Sequence, residues 1–536
     1  MEDSFHNTSW TLEGRLGMLE ALYTGAYTER TTDQTVDYSD YLFVGQYLPY
    51  YICDTAVVYP GSVTNAPADP TCQAPNLFVN SSTETQVQTH ELRFNTPKEH
   101  RLRATFGGFY SDLELAERND FTYPGSVAVR GSDGVTTGFL PNYPLTNTAV
   151  TGAVGNAAPG YFSDAGPFPA GVIFRNDVVR TDQQMGLFGE ATFDLTEQFA
   201  VTIGARWYDI EVDLEGSANS SFFNLNSAIF GSNAGLPVGT GVDAQGGGTN
   251  ISAQFASNNT VGAPDKAATD GAIYKLTGTW TPNSDMLFYA TYSEGFRPGL
   301  LNRPGGAAGP SGYTVPFAVD TDDVKNYELG WKTELFNNSL RFNGSAFFVE
   351  VEGLQTTIFD PSIVNLFFSD NAANAEIQGL EGDFTWAPFE VDGLTIAGAF
   401  SILDTEITEV LTPTNDVLVG SELAFAPAWQ GNIRARYEWD LDHKIGGSNL
   451  TAHIMPQLVF SDDSVSDIIE INKADIDGYV TLGTTLGVTA DQWSAELFAT
   501  NLTNEYAELS NNFVFDRERV TPMRPRTIGV RVGYDF

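Results

Sequence analysis

Between Gln430 and Trp439 the chain reads QGNIRARYEW. Gly431, Ile433, Ala435, Tyr437 and Trp439 fall on one side of an extended strand, and Gln430, Asn432, Arg434, Arg436 and Glu438 on the other. Side chains of a strand alternate between two faces, so the segment has one apolar and one charged face. The pattern recurs along the chain. Phe199, Val201, Ile203, Ala205 and Trp207 oppose Ala200, Thr202, Gly204, Arg206 and Tyr208. Leu102–Tyr110 and Leu394–Ile402 read the same way, and no comparable stretch carries apolar residues at helical spacing. The chain is all-β.

Strand length separates two all-β readings. Globular strands run about 5–6 residues, whereas the alternation here holds for roughly 10–13, and a tilted strand crossing a bilayer needs about 9–11. Trp207, Trp280 and Trp439 close apolar faces, as an interfacial aromatic girdle would. Connections alternate in size. Short ones lie at Pro97–His100, Glu197–Gln198, Pro282–Asp285, Phe336–Ser339 and Ala490–Gln492. Between them run long ones, roughly 31–82, 120–176, 216–270, 297–321, 407–423, 461–475 and 507–523, rich in Gly, Pro, Asn, Ser and Asp. Short periplasmic turns and long outer loops belong to a membrane β-barrel; a Greek-key sandwich has no reason to alternate so regularly. The expectation is an antiparallel transmembrane β-barrel wall of about 17 strands, from one near 8–18 to one at 524–536.

Composition narrows the partners. The 536 residues hold 27 Lys+Arg against 68 Asp+Glu, a formal net charge of −41. A polyphosphate would be repelled, so nucleic acid is not an expected partner. Hydrophobic residues make up 42%, which excludes intrinsic disorder. No run of 18 apolar residues marks a membrane helix. The opening MEDSFHNTSW carries Glu2 and Asp3 where a secretory signal has Lys or Arg. Cys53 and Cys72 are the only cysteines, in a Pro/Gly/Asn-rich segment without CxxC or His, so zinc is not expected. The favoured reading is a disulfide, which in the chain-entropy model closes a loop of about 20 residues for roughly 3 kcal/mol; two unpaired thiols are the alternative.

The final segment, RPRTIGVRVGYDF, sets Ile528, Val530, Val532, Tyr534 and Phe536 on one face. An amphipathic last strand ending in an aromatic residue resembles the signal by which barrel-assembly machinery recognises outer-membrane proteins. With YATYSEGFRPGLLNRPGG (Tyr289–Gly306), FATNLTNEYAE (Phe498–Glu508) and THELRF (Thr89–Phe94) followed by RLRATFGGFY, it resembles the TonB-dependent receptor family. The resemblance implies one barrel domain over residues 1–536 in a Gram-negative outer membrane, in contact with lipid. That family's largest barrels have about 22 strands round a plugged lumen. An odd count near 17 leaves strands missing, and nothing after Met1 resembles a plug or a TonB-contacting segment. The sequence is therefore expected to be the C-terminal part of a larger protein, with plug and TonB reached through the missing region. The implied function is TonB-dependent uptake of a scarce nutrient, a ferric siderophore, oligosaccharide or similar small molecule. A free-standing porin-like channel and a soluble secreted β-rich binding protein are the alternatives.

Signatures of catalysis are poor. His90-Glu91 begins like HExxH, but Phe94 stands where the second His belongs. Neither GxSxG nor GxxxxGK[ST] occurs. No enzyme activity, cofactor or metal site is expected. Arg434 and Arg436 point to the polar face, the lumen of a barrel, where charged residues tune selectivity; a generic wet lumen with internal ion pairs is the favoured reading and contact with an anionic substrate or the plug the alternative. Tyr47, Tyr50 and Tyr51 in the first long loop are candidates to stack on a sugar or aromatic chelator, or simply pack the loop. Arg297, between Gly295 and Gly299 in GFRPG, is a further substrate-binding candidate, with shaping of the turn as its favoured role.

Overall fold

The computed structural model describes residues 1–39, 57–58, 62–63, 74, 76–125, 169–220, 249–250, 266–302, 309–358, 368–414, 416–445, 447–514 and 517–535. Among the described residues eighteen strands join in one antiparallel sheet, one of them only the pair Thr249–Asn250; the other 17 form the wall. They are β1 (Glu2–Leu16), β2 (Leu19–Asp37), β3 (Phe78–Asn95), β4 (Leu102–Thr122) and β5 (Val172–Asp194). Next come β6 (Phe199–Ser220), β7 (Lys266–Asn283), β8 (Met286–Arg297), β9 (Asp322–Leu335), β10 (Leu340–Ile358) and β11 (Phe368–Trp386). The wall ends with β12 (Leu394–Val410), β13 (Trp429–Ile445), β14 (Ser448–Ser461), β15 (Tyr479–Thr489), β16 (Trp493–Thr500) and β17 (Thr527–Tyr534). Each strand pairs with its neighbours in chain order; among the described residues β1 pairs only with β2, and β17 only with β16.

Two boundaries differ from the sequence reading. The first strand is Glu2–Leu16, and the last begins at Thr527, because Pro525 has no N–H to give the ladder. Many strands also exceed the bilayer. β4, β5 and β6 run for 21, 23 and 22 residues, since pairing continues beyond the apolar band; on β6 the polarity inverts there, with Asp209 and Glu211 outward and Ile210 and Val212 buried within.

Register fixes the faces, because residues directly opposite on adjacent strands share one. Phe199, Trp280, Phe288 and Trp331 stand in line across β6 to β9. The Phe199 and Trp280 rings stack at 5.9 Å and those of Trp280 and Phe288 at 5.5 Å. The same face carries Ile203, Leu276, Leu329, Leu497 and Val530, which are 61, 50, 64, 48 and 70% exposed. A continuous apolar face of this size needs an apolar medium against it. On β6 the band runs from Phe199 to Trp207, which is about 27 Å along the strand and about 20 Å of height at a tilt near 40°. With its bounding aromatic rings this matches the ~25 Å apolar belt of outer-membrane barrels.

Glycines let aromatic rings lie flat on the wall. A Cβ at Gly344 would sit 2.4 Å from the Trp331 ring and 2.6 Å from the Glu381 carbonyl oxygen. No side chain fits there without displacing backbone, so the ring replaces the one glycine lacks.

Candidate lumen and outer-mouth site

The face opposite the apolar band is the lumen wall. On β13 it presents Asn432, Arg434, Arg436 and Glu438, while Ile433, Tyr437 and Trp439 face outward. Arg434 stands at mid-height, opposite Ala397 on β12 and Gln457 on β14. It is exposed and forms no ion pair among the described residues. Arg436 is held instead by Glu438, 2.6 Å away. Between them the β13–β14 ladder is interrupted beside Pro456, which cannot donate.

A polar line continues from Glu438. Across the ladder lies His453, 2% exposed. Its Nε2 is 3.4 Å from Glu496, which binds Arg531 of β17 at 3.0 Å. The His453 ring rests on Gly487, where a Cβ would come within 2.2 Å. Elsewhere Lys275 meets Glu190 at 3.1 Å, Tyr289 donates to Glu328 at 2.5 Å and Arg206 lies over the Phe109 ring. The lumen thus interleaves cations with the acidic residues that dominate the composition.

At the outer mouth, Arg297 is tied into the wall. Its backbone N–H donates to Asp322 at 2.8 Å, its Nε donates to the same carboxylate at 2.5 Å, and its Nη2 reaches the Gln355 carbonyl at 3.1 Å. The Asp322 side chain is 1% exposed, Arg297 about half. The turn that follows depends on Gly299, where a Cβ would lie 2.4 Å from the Val319 carbonyl oxygen. Above it, Asn302 bonds to the Pro316 and Ser369 carbonyls at 2.9 and 2.7 Å. Tyr313 and Thr412 both donate to Asp370, at 2.5 and 2.7 Å. Burial and this hydrogen bond raise the Tyr313 hydroxyl well above the ordinary tyrosine range. The connections after β8 and β12 and the start of β11 are clamped at one rim. Sequence reasoning missed Asn302, Asp322 and Asp370; the only signal was their Asn/Asp type beside turns.

A second packed group is formed by the connections of β13 to β17. The segments 462–478 and 501–526 each fold as a two-stranded ribbon. Ile468, Ile469, Ile476 and Ala507 are buried. The 462–478 segment meets the connection before β13 through Glu470 N–H to the Asp416 carbonyl and Phe425 N–H to the Val465 carbonyl. Burial pushes the Asp467 carboxyl up.

Ile528, Val530, Val532 and Tyr534 all face outward on β17. His90 also lies on the outward face, its Nδ1 3.0 Å from the Tyr23 hydroxyl. Tyr47, Tyr50, Tyr51, Cys53, Cys72 and Phe536 lie outside the described residues.

The family model for the TonB dependent receptor-like β-barrel matches residues 9–502. The chain belongs to that family. TonB-dependent receptor barrels are outer-membrane receptors and transporters of Gram-negative bacteria, and the wall described above has their antiparallel architecture. No curated protein sequence matches the chain. Among solved structures, it is similar to the ferric yersiniabactin uptake receptor FyuA from Yersinia pestis, at 13% identity and TM-score 0.64, covering 100% of this chain and 61% of that one. The siderophore receptor PiuA from Acinetobacter baumannii aligns at 13% identity and TM-score 0.60, covering 99% and 64%. The ferric citrate transporter FecA aligns at 12% and 0.58, covering 100% and 61%. At these identities the likeness is one of fold. This TonB-dependent receptor barrel spans 61–64% of the length of those three structures.

Proposed function

We propose that this barrel is the wall of an outer-membrane importer. It takes a small-molecule nutrient, of the ferric siderophore class, from its outer loops through the lumen at the expense of inner-membrane energy delivered by TonB. In this reading a plug fills the lumen, barrel-assembly machinery inserts the wall, lipid surrounds the apolar band, and the protein makes or breaks no covalent bond in its cargo. The carrying observation is the placement of charge. A chain of net charge −41 would repel an anionic chelate at long range, yet Arg206, Lys275, Arg434, Arg436 and Arg531 face the lumen, with Arg434 exposed and without an ion pair among the described residues. A guanidinium there offers a fork of donors to a carboxylate or hydroxamate, whether from cargo or plug. The Arg297–Asp322 clamp holds the mouth above it. The siderophore receptors among the solved structures support the substrate class.

The test is growth and labelled-iron uptake by a receptor-deficient host that expresses the complete receptor, supplied in turn with anionic and neutral ferric chelates. Uptake of an anionic chelate that needs TonB and falls with Arg434→Gln is the expected result. Uptake that persists without TonB, or follows solute size alone, would replace the importer with a porin-like channel.

A further inference from the structure

Above the apolar band, the outward face of the wall turns acidic in a repeated way. On five strands that run toward the outer mouth, an outward apolar or aromatic side chain is followed two residues on by a carboxylate. Tyr110 precedes Asp112, Trp207 precedes Asp209, Tyr292 precedes Glu294, Phe348 precedes Glu350 and Ile402 precedes Asp404. Glu350, Glu376 and Glu406 are direct cross-strand neighbours on β10, β11 and β12, where like charges weaken a sheet. The lysines of this face are already engaged. Lys266 is bound to Glu211 at 2.7 Å and Asp213 at 3.1 Å, and Lys325 to Glu352 at 2.7 Å. Arg118 and Arg175, higher on the same face, are bound to Asp177 and Asp120.

We infer that this two-tier belt, rings below and carboxylates above, seats the uncharged sugar headgroups of outer-leaflet glycolipids and disfavours phosphorylated ones. The occupant follows from continuity with the apolar band. An acyl chain lying against Phe348 or Ile402 brings its headgroup to Glu350 or Asp404, about 7 Å further along the strand. Sugar hydroxyls donate to carboxylates in short, charge-assisted hydrogen bonds, and their apolar faces lie on aromatic rings. A phosphate at the same height stands within a Debye length, about 8 Å, of several carboxylates. It meets no lysine of this face that is not already paired.

The inference rests on the membrane placement proposed above, and the experiment separates the two. The complete receptor is inserted into phosphatidylcholine vesicles containing a minority of either glucosyl diacylglycerol or lipid A, in EDTA. It is then extracted in detergent, and its retained lipid is counted by mass spectrometry. Heat-dependent gel mobility first reports insertion; a wall that does not insert fails the membrane placement, and the belt with it. The wild type should retain the glucosyl lipid and not lipid A. Glu376→Lys with Asp404→Lys should lower glucosyl-lipid retention about tenfold, the order expected for losing a charge-assisted hydrogen bond, and should raise lipid A. Glu376→Gln, which keeps an acceptor, should retain the glucosyl lipid. Equal or greater retention of lipid A by the inserted wild type in EDTA overturns the inference. So does retention of lipid A only after magnesium is restored, or of neither lipid.

Discussion

Ile203→Arg puts a guanidinium at the midpoint of the outward band on β6, between Phe199 and Trp207. Ile203 is 61% exposed and has Ala191 and Leu276 as cross-strand neighbours, so no carboxylate is opposite to receive the charge. A cation on the lipid face of a barrel costs about 2–4 kcal/mol at the midplane. The adjacent position gives the control. Thr202→Arg points into the lumen, where water solvates the charge, and the change loses chiefly the 2.8 Å Thr192–Thr202 hydrogen bond, worth about 1 kcal/mol. Urea titration of the complete receptor folding into phosphatidylcholine vesicles, read by heat-dependent gel mobility, should separate the two by about 1–3 kcal/mol. Equal costs, or a larger one at Thr202, would refute the assignment of faces. So would a neutral Ile203→Arg, since a band facing water tolerates arginine.

Other outcomes follow from single contacts. Arg434→Gln should leave the urea midpoint unchanged within about 0.5 kcal/mol, because an exposed side chain without an ion pair contributes little, while lowering uptake. Arg297→Ala strands the buried Asp322 carboxylate, and limited proteolysis should show earlier cleavage within 298–321, a local cost of about 1–3 kcal/mol. Gly344→Ala should destabilise by about 1–3 kcal/mol through overpacking against Trp331 and the Glu381 carbonyl, measured by the same titration. For Asp467 the sign runs toward acid. Its carboxyl is raised by burial against the backbone hydrogen bonds of Ile469 and Ile468. The folded state therefore holds its proton to higher pH than the unfolded, and stability falls as pH rises through the raised value. Asp467→Asn should make the 462–478 segment more protease-resistant at neutral pH, with the advantage vanishing below about pH 4.

The wall was largely legible because its two faces meet different media, and a two-residue period records that directly. Gln430–Trp439 and Phe199–Tyr208 lie in the structure on the faces their alternation assigns. The number of wall strands agrees for the same reason. Strand lengths were underread by a few residues, as on β6, which the sequence reading ended before 216 and which pairs on to Ser220, because above the band the polarity inverts: Asp209, Glu211 and Asp213 face out while Ile210 and Val212 are buried. The mouth was less legible. Arg297 drew notice through its GFRPG setting, but the buried carboxylate that holds it lies 25 residues later, and nothing in the sequence marks Asp322 apart from other acidic residues. The Asn302 and Asp370 clamps are long-range for the same reason. Outward carboxylates such as Glu350 and Glu376 became meaningful only once register placed them side by side.

The most direct test of the account is a nitroxide scan of β13. Single cysteines at 431 to 438 in the complete receptor, in vesicles, carry spin labels whose collisions with oxygen and with a water-soluble nickel chelate are compared. Oxygen accessibility should peak at 431, 433, 435 and 437 and nickel accessibility at 432, 434, 436 and 438, with the nickel signal at 432, where Arg434 is kept, falling when an anionic ferric chelate is bound. A profile without the two-residue period, or nickel accessibility highest at 433 and 437, would contradict a lipid-clad wall around a wet, cation-bearing lumen.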